Sequence, residues 1–153
     1  MFEGYRYMVV EEIIDELEQV KQYLDRHEVS IVAMKNGQII GSENGKGLSS
    51  FLKLIDEHKG DLLDCIIGVR ILGKAFGFLC RYVNAKAVYA TKGTKKAIST
   101  LIVGGIQSQV SDIVEPVYVS THDEICPYER LMDKINDPVE AYNMLCESFI
   151  SAE

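Results

Sequence analysis

The pair Asn36-Gly37 stands between two β-prone runs, V-S-I-V-A-M-K and Q-I-I-G-S. Both residues tolerate positive φ, which a two-residue type I′ turn demands at its two central positions. Two antiparallel neighbouring strands therefore belong near the start of the chain. Beyond them helices and strands alternate. Leu48, Phe51, Leu52 and Ile55 predict a short helix ending near His58, with Gly60 as its stop. Leu62 to Ile67 reads as a buried strand, and residues ~69–83 as a helix apolar on most of its circumference, with Gly73, Ala75 and Gly77 allowing close approach. A-K-A-V-Y-A is a further strand. Ala97, Ile98, Leu101 and Ile102 mark a helix that stops at Gly104-Gly105.

Gln107 to Ser120 carries β-like runs broken by Glu115-Pro116, and two helices, ~127–135 and ~138–151, close the chain. The last has a full start signal: Asp137 as N-cap, Pro138 at N1 and Glu140 at N3. Ahead of the hairpin, Val9, Val10, Ile13, Ile14, Leu17, Val20 and Leu24 predict an amphipathic helix over ~8–27. Its acidic residues Glu11, Glu12, Asp15 and Glu16 sit in the N-terminal half, where the helix dipole favours them.

Strands alternating with helices after an antiparallel hairpin imply a mixed sheet with helices on both faces, a three-layer α/β/α sandwich. With no repeat and no linker, residues 1–153 read as one domain, an N-terminal helix over 1–27 preceding a core over 28–151. A chain of 153 residues with 47% apolar and 25% charged residues is long enough and apolar enough to bury one core.

Charge and cysteines narrow the function classes. The net charge of −7, from 23 acidic and 16 basic residues, argues against non-specific binding to nucleic acid or anionic membranes. No apolar stretch approaches the ~20 residues of a membrane helix. The N-terminus, M-F-E-G-Y-R-Y-M-V-V-E-E, lacks the pattern of a signal peptide. Cys65, Cys80, Cys126 and Cys146 form no C-x-x-C, so reduced thiols in a cytoplasmic protein are expected. Nothing in the sequence fixes an oligomeric state.

Three constellations can carry chemistry. In C-P-Y-E, Pro127 suits N1 of a helix, which makes Cys126 the N-cap and Glu129 the N3 residue. Unpaired amides and the positive end of the dipole lower the pKa of a thiol there, and His122 lies four residues upstream as a base or cation partner. Glu129 opposes this by competing for the same amides. A reactive thiol, a metal ligand and an ordinary small capping residue all remain open. The second constellation is Arg70, Lys74 and Arg81, a row of cations on the helix predicted over ~69–83. It is either an anion site or a solvated stripe paired with acidic neighbours. The third is G-S-E-N-G-K-G-L-S-S, Gly41 to Ser50, a loop able to cradle an anion but without P-loop spacing. T-K-G-T-K-K, Thr91 to Lys96, offers Thr94 as an N-cap and lysines expected to face solvent.

The stretch R-I-L-G-K-A-F-G-F-L at 70–79, then A-V-Y-A, then C-P-Y-E, resembles an uncharacterised prokaryotic domain family of the cytidine-deaminase-like fold. The resemblance spans about residues 28–150; Gly73-Lys74-Ala75 and Cys126-Pro127 with Glu129 are its most specific parts. It departs from the family pattern at Tyr128, where Met is usual, and at Val119–Asp123. It implies a central mixed sheet flanked by helices and supplies no reaction.

A zinc deaminase needs a His or Cys two residues before a Glu on one helix and P-C-x-x-C opening the next. The helix predicted after the first buried strand opens G-V-R-I, with neither ligand nor acid. At the second, Ile125 precedes Cys126 and Glu129 stands where the second Cys belongs. One thiolate does not build a tetrahedral site, so no metal or other cofactor is expected. Two readings are left. The favoured one is a binding module for a small anionic, nucleotide-like ligand, held by Lys74, Arg70, Glu129 and Gly73. The alternative is a cysteine-dependent enzyme or thiol redox sensor with Cys126 as nucleophile and His122 beside it.

Overall fold

The computed structural model describes residues 2–45, 47–114, 131–132 and 134–152. The Asn36-Gly37 turn forms as its chemistry demands, with φ of 53° and 78°. It joins β1 (Ile31–Lys35) to β2 (Gln38–Glu43) in antiparallel register, with Lys35 opposite Gln38 and a bulge between Ala33 and Met34. Then come α2 (Gly47–His58), β3 (Ile66–Leu72), α3 (Lys74–Tyr82), β4 (Ala87–Thr94), α4 (Lys95–Val103) and β5 (Gln107–Val114). A long α1 (Phe2–Arg26) precedes the hairpin and α5 (Pro138–Ala152) ends the chain.

The sheet order is β2-β1-β3-β4-β5. β1 runs antiparallel to both β2 and β3, whereas β3, β4 and β5 are parallel. β2, β3 and β4 therefore point the same way, and each feeds its own helix. The expected mixed sheet and three-layer α/β/α sandwich are both present.

Period-two alternation sorts the strand side chains into two cores. Ile31, Ala33, Ile67, Val69, Val88 and Ala90 face α2, α3, α4 and α5, whose Phe51, Leu54, Phe78, Leu79, Leu101 and Leu145 complete the larger core. Val32, Met34, Ile66, Ala87 and Tyr89 face α1 alone, meeting Ile13, Leu17, Val20 and Leu24. Full burial of aliphatic side chains such as Val20 and Leu24 contributes about 1.5–3 kcal/mol each. Gly68 makes the close approach of α1 possible, because a Cβ there would overlap Val20 and press on Val32. On the other face Tyr82 of α3 stacks on Tyr142 of α5 at 4.0 Å and 8°, which docks the last helix.

Several expected boundaries shift. The segment expected as a helix over ~69–83 is a strand through Leu72, and α3 starts only at Lys74. β3 lies between β1 and β4, so sheet hydrogen bonding on both sides outweighs the helical spacing of its apolar residues. Leu62 closes a 3-10 turn (Lys59–Leu62) running through Gly60, and β3 begins at Ile66. Thr91–Thr94 continues β4, paired with β5 as Lys92 opposite Asp112. Two caps form as expected: Thr94 Oγ1 accepts from the Ala97 N–H at 3.2 Å, and Asp137 Oδ2 accepts from the Glu140 N–H at 3.1 Å. The helix expected from residue 127 begins outside the described residues.

Candidate functional site

Because β2, β3 and β4 run in one direction and pass straight into α2, α3 and α4, the first turns of those helices gather along one edge of the sheet. Each first turn carries the positive end of a helix dipole, where acidic residues are ordinarily favoured. None of the three has one. Elsewhere the pattern is ordinary, with Asp61 opening the 3-10 turn and Glu140 opening α5. Lysines occupy the edge instead: Lys74 at N1 of α3, and Lys95 and Lys96 at N1 and N2 of α4.

A groove of about 790 Å³ runs from this edge between α3 and α4. Lys74, Phe78 and Arg81 line one wall, Lys95, Lys96, Ser99, Thr100 and Val103 the other, and Asn136 borders it. Residues 74, 78 and 81 share a helical face by their spacing, as do 96, 99, 100 and 103. The helices can lie this close because of Gly77: a Cβ there would come within 3.3 Å of Thr100. Thr100 is itself buried, donating its hydroxyl to the Lys96 carbonyl at 2.8 Å. Phe78 forms the floor at 2% exposure. Lys74 Nζ lies 5.7 Å and the Arg81 guanidinium carbon 5.5 Å from its ring centroid, so the negative ring face helps to hold both cations. The Arg81 stem passes over Gly104, where a Cβ would meet its Cγ at 2.6 Å. Four cations and no carboxylate are among the described residues lining this groove, in a chain of net charge −7.

The expected row of three cations is not a row. Arg70 lies on β3 and points to the α1 face, away from the groove. Its guanidinium donates to the carbonyls of Val29 (2.7 Å), Leu24 (2.8 Å) and His27 (2.7 Å), so it caps the end of α1 and fixes the turn into β1. Lys74 and Arg81 stay together, and Gly73, extended at φ −102°, is the N-cap that sets Lys74 at N1. Lys95 and Lys96 are exposed, as expected, and they also line the same groove. Their signal in the sequence is two lysines directly after a good N-cap, Thr94, at a strand-to-helix junction.

Cys126, His122 and Glu129 lie outside the described residues. Among the other thiols, burial pushes Cys65 up to about 12 and Cys80 well above the ordinary thiol range. Both are core residues with neutral side chains at physiological pH. The helix after β3 opens G-K-A, a start that holds no metal ligand, and among the described residues no three His, Cys, Asp or Glu side chains converge. No helix among them is long and apolar enough to cross a membrane.

These features define a three-layer α/β/α domain with a cationic groove at the carboxyl edge of its sheet. The chain belongs to the family described as TM1506, domain of unknown function (DUF1893), whose model matches residues 19–149. The crystal structure of a DUF1893 family protein (TM1506) from Thermotoga maritima has the same fold, with a TM-score of 0.79 at 18% identity over 88% of this chain and 90% of that one. A dCMP deaminase from the cyanophage S-TIM5, in apo form, gives a TM-score of 0.45 at 12% identity over 68% of this chain and 98% of that one. No curated protein matches the chain.

Proposed function

We propose that this domain binds a small phosphate-bearing anion, nucleotide-like in size, in the groove between α3 and α4. The observation that supports the reading is the placement of charge. An acidic protein leaves three adjacent helix starts without a single acidic residue and lines the groove below two of them with Lys74, Lys95, Lys96 and Arg81. A lysine at N1 opposes the helix dipole and costs stability, so its repetition at adjacent helices fits binding better than folding. Backbone amides of a helix start and lysine ammonium groups are complementary to phosphate oxygens.

Size and shape fit the same class. A groove of about 790 Å³ falls within the usual range for small-molecule sites. Its cations are concentrated at the helix starts, while Arg81 and Val103 stand about 10 Å further along the helices. A phosphate at the edge and a less charged body towards Val103 would match that gradient.

Thermal-shift measurements with inorganic phosphate and nucleoside monophosphates test the reading. A concentration-dependent rise in Tm is expected, since a ligand that binds only the folded chain stabilises it by mass action. Lys74→Ala should remove most of it. No stabilisation at millimolar ligand, or equal shifts in the Lys74→Ala protein, would count against the groove.

A further inference from the structure

A second pocket, of about 620 Å³, opens at the opposite edge of the sheet from the cationic groove, where α2 and α3 end. Its chemistry is the reverse of the groove's: the described residues lining it include one carboxylate, Asp56, and no cation. A helix C-terminus carries the negative end of the dipole, which a basic side chain ordinarily answers. Each of these helices has one in its last turn, and both are turned elsewhere. His58 packs on β2, where a Cβ at Gly41 would meet its ring, and Arg81 lies over Phe78 in the groove. Asp56 stands in the last turn of α2, where a carboxylate opposes the dipole. Glu57 beside it pairs with Lys53 at 4.0 Å, whereas Asp56 forms no ion pair among the described residues. The Asp56 charge reaches Tyr142, whose phenol is pushed up to about 12 by burial first, then by the Cys146 thiol, Tyr82 and Asp56. Tyr142 is therefore a neutral ring at physiological pH.

We propose that this pocket binds a small alkylammonium ion, with its charge beside Asp56 and the two helix ends and its alkyl groups against the Tyr82–Tyr142 pair. The two rings stack at 4.0 Å and 8°, and both line the pocket while half-exposed, so they offer a ligand the aromatic surface that buried Phe78 withholds. Ile55 and Val83, both buried, add aliphatic wall, and Leu63 is exposed beside them. Aromatic and aliphatic walls around one carboxylate suit a weakly hydrated organic cation, whose charge a π surface attracts. A metal ion needs a shell of oxygen ligands that these walls do not supply. The volume falls within the usual range for small-molecule sites. No residue is shared with the α3–α4 groove, so this assignment stands and fails independently of it.

The test is a titration of the full chain with choline at constant ionic strength, monitored through backbone amide resonances. Its uncharged isostere, 3,3-dimethylbutan-1-ol, is the parallel arm. Saturable shifts are expected with choline at Gly60, Leu63 and Asn84, and far weaker ones with the alcohol. Asp56→Asn should weaken choline binding about fivefold. The same protein should melt at or above the wild-type temperature, because the substitution removes a carboxylate that opposes the dipole of α2. Lys95→Ala with Lys96→Ala should leave choline binding intact. No saturable shift at Gly60, Leu63 and Asn84, an equal response to the alcohol, or unchanged choline affinity in Asp56→Asn would each overturn the assignment.

Discussion

Lys74 and Arg81 flank the same ring: two turns apart on α3, they approach the Phe78 centroid to 5.7 and 5.5 Å. The ring is buried, so this arrangement fixes the two cations without offering the ring itself to a ligand. Replacing Phe78 by Leu keeps an apolar floor and removes the π face. Anion affinity should fall several-fold, in line with the ~0.5–1 kcal/mol of an exposed cation–π contact, and calorimetric titration would show it.

Stability and binding should part company at Lys95. Lys95→Glu places an acidic residue at N1 of α4, where the dipole favours it, so the unliganded protein should gain about 0.3–1 kcal/mol in urea denaturation. The same substitution should abolish any anion-dependent rise in Tm. Loss of stability in the free protein would show that Lys95 serves the fold.

Arg70 should behave in the opposite way. Arg70→Ala leaves one carbonyl in the last turn of α1, Leu24, and two in the turn after it, His27 and Val29, without this donor and should cost about 1–3 kcal/mol. Arg70→Lys should restore only part of that loss, since one ammonium does not reproduce a planar fork. Neither change should alter anion affinity, because Arg70 faces α1 and the groove lies on the other side of the sheet.

Much of the fold is legible in the sequence. Asn36-Gly37, Thr94 and Asp137 are local signals with one strong structural solution each, and all three act as their chemistry predicts. Segment 69–72 is not legible, because V-R-I-L satisfies a helical and an extended pattern equally. Its pairing with both β1 and β4 decides the matter, and that pairing is non-local. The same ambiguity makes Arg70 look like a neighbour of Lys74. Helical spacing within α3 reveals half of the groove, Lys74 and Arg81. Lys95 and Lys96 escape such a reading because the packing of α4 on α3 brings them in, not proximity in sequence.

The packing of α1 depends on one missing side chain. Gly68→Ala should overlap Val20 and Val32 and destabilise by about 1–3 kcal/mol, with the loss read in chemical denaturation. Gly60→Ala, where nothing lies within 4 Å, is the matched control and should cost far less.

The buried thiols set an alkaline limit. Cys65, at about 12, and Cys80, pushed up by burial, stay protonated in the folded chain when an unfolded chain would ionise at about 9. A folded-state pKa above the unfolded one gives stability that is complete below about pH 9 and lost as pH rises towards about 12. Urea denaturation at pH 8 and pH 10 should show the decline. A disulfide-exchange reagent at pH 8 should modify Cys65 and Cys80 only after unfolding.

Isothermal titration of the wild-type chain with adenosine monophosphate, with adenosine as the uncharged control, addresses the groove most directly. The expected result is saturable binding of the monophosphate and none of adenosine. That binding should weaken as salt rises and be lost in the Lys95→Ala, Lys96→Ala protein. Equal binding of both compounds, or an affinity unchanged by the double substitution, would contradict the proposal that α3 and α4 form an anion site.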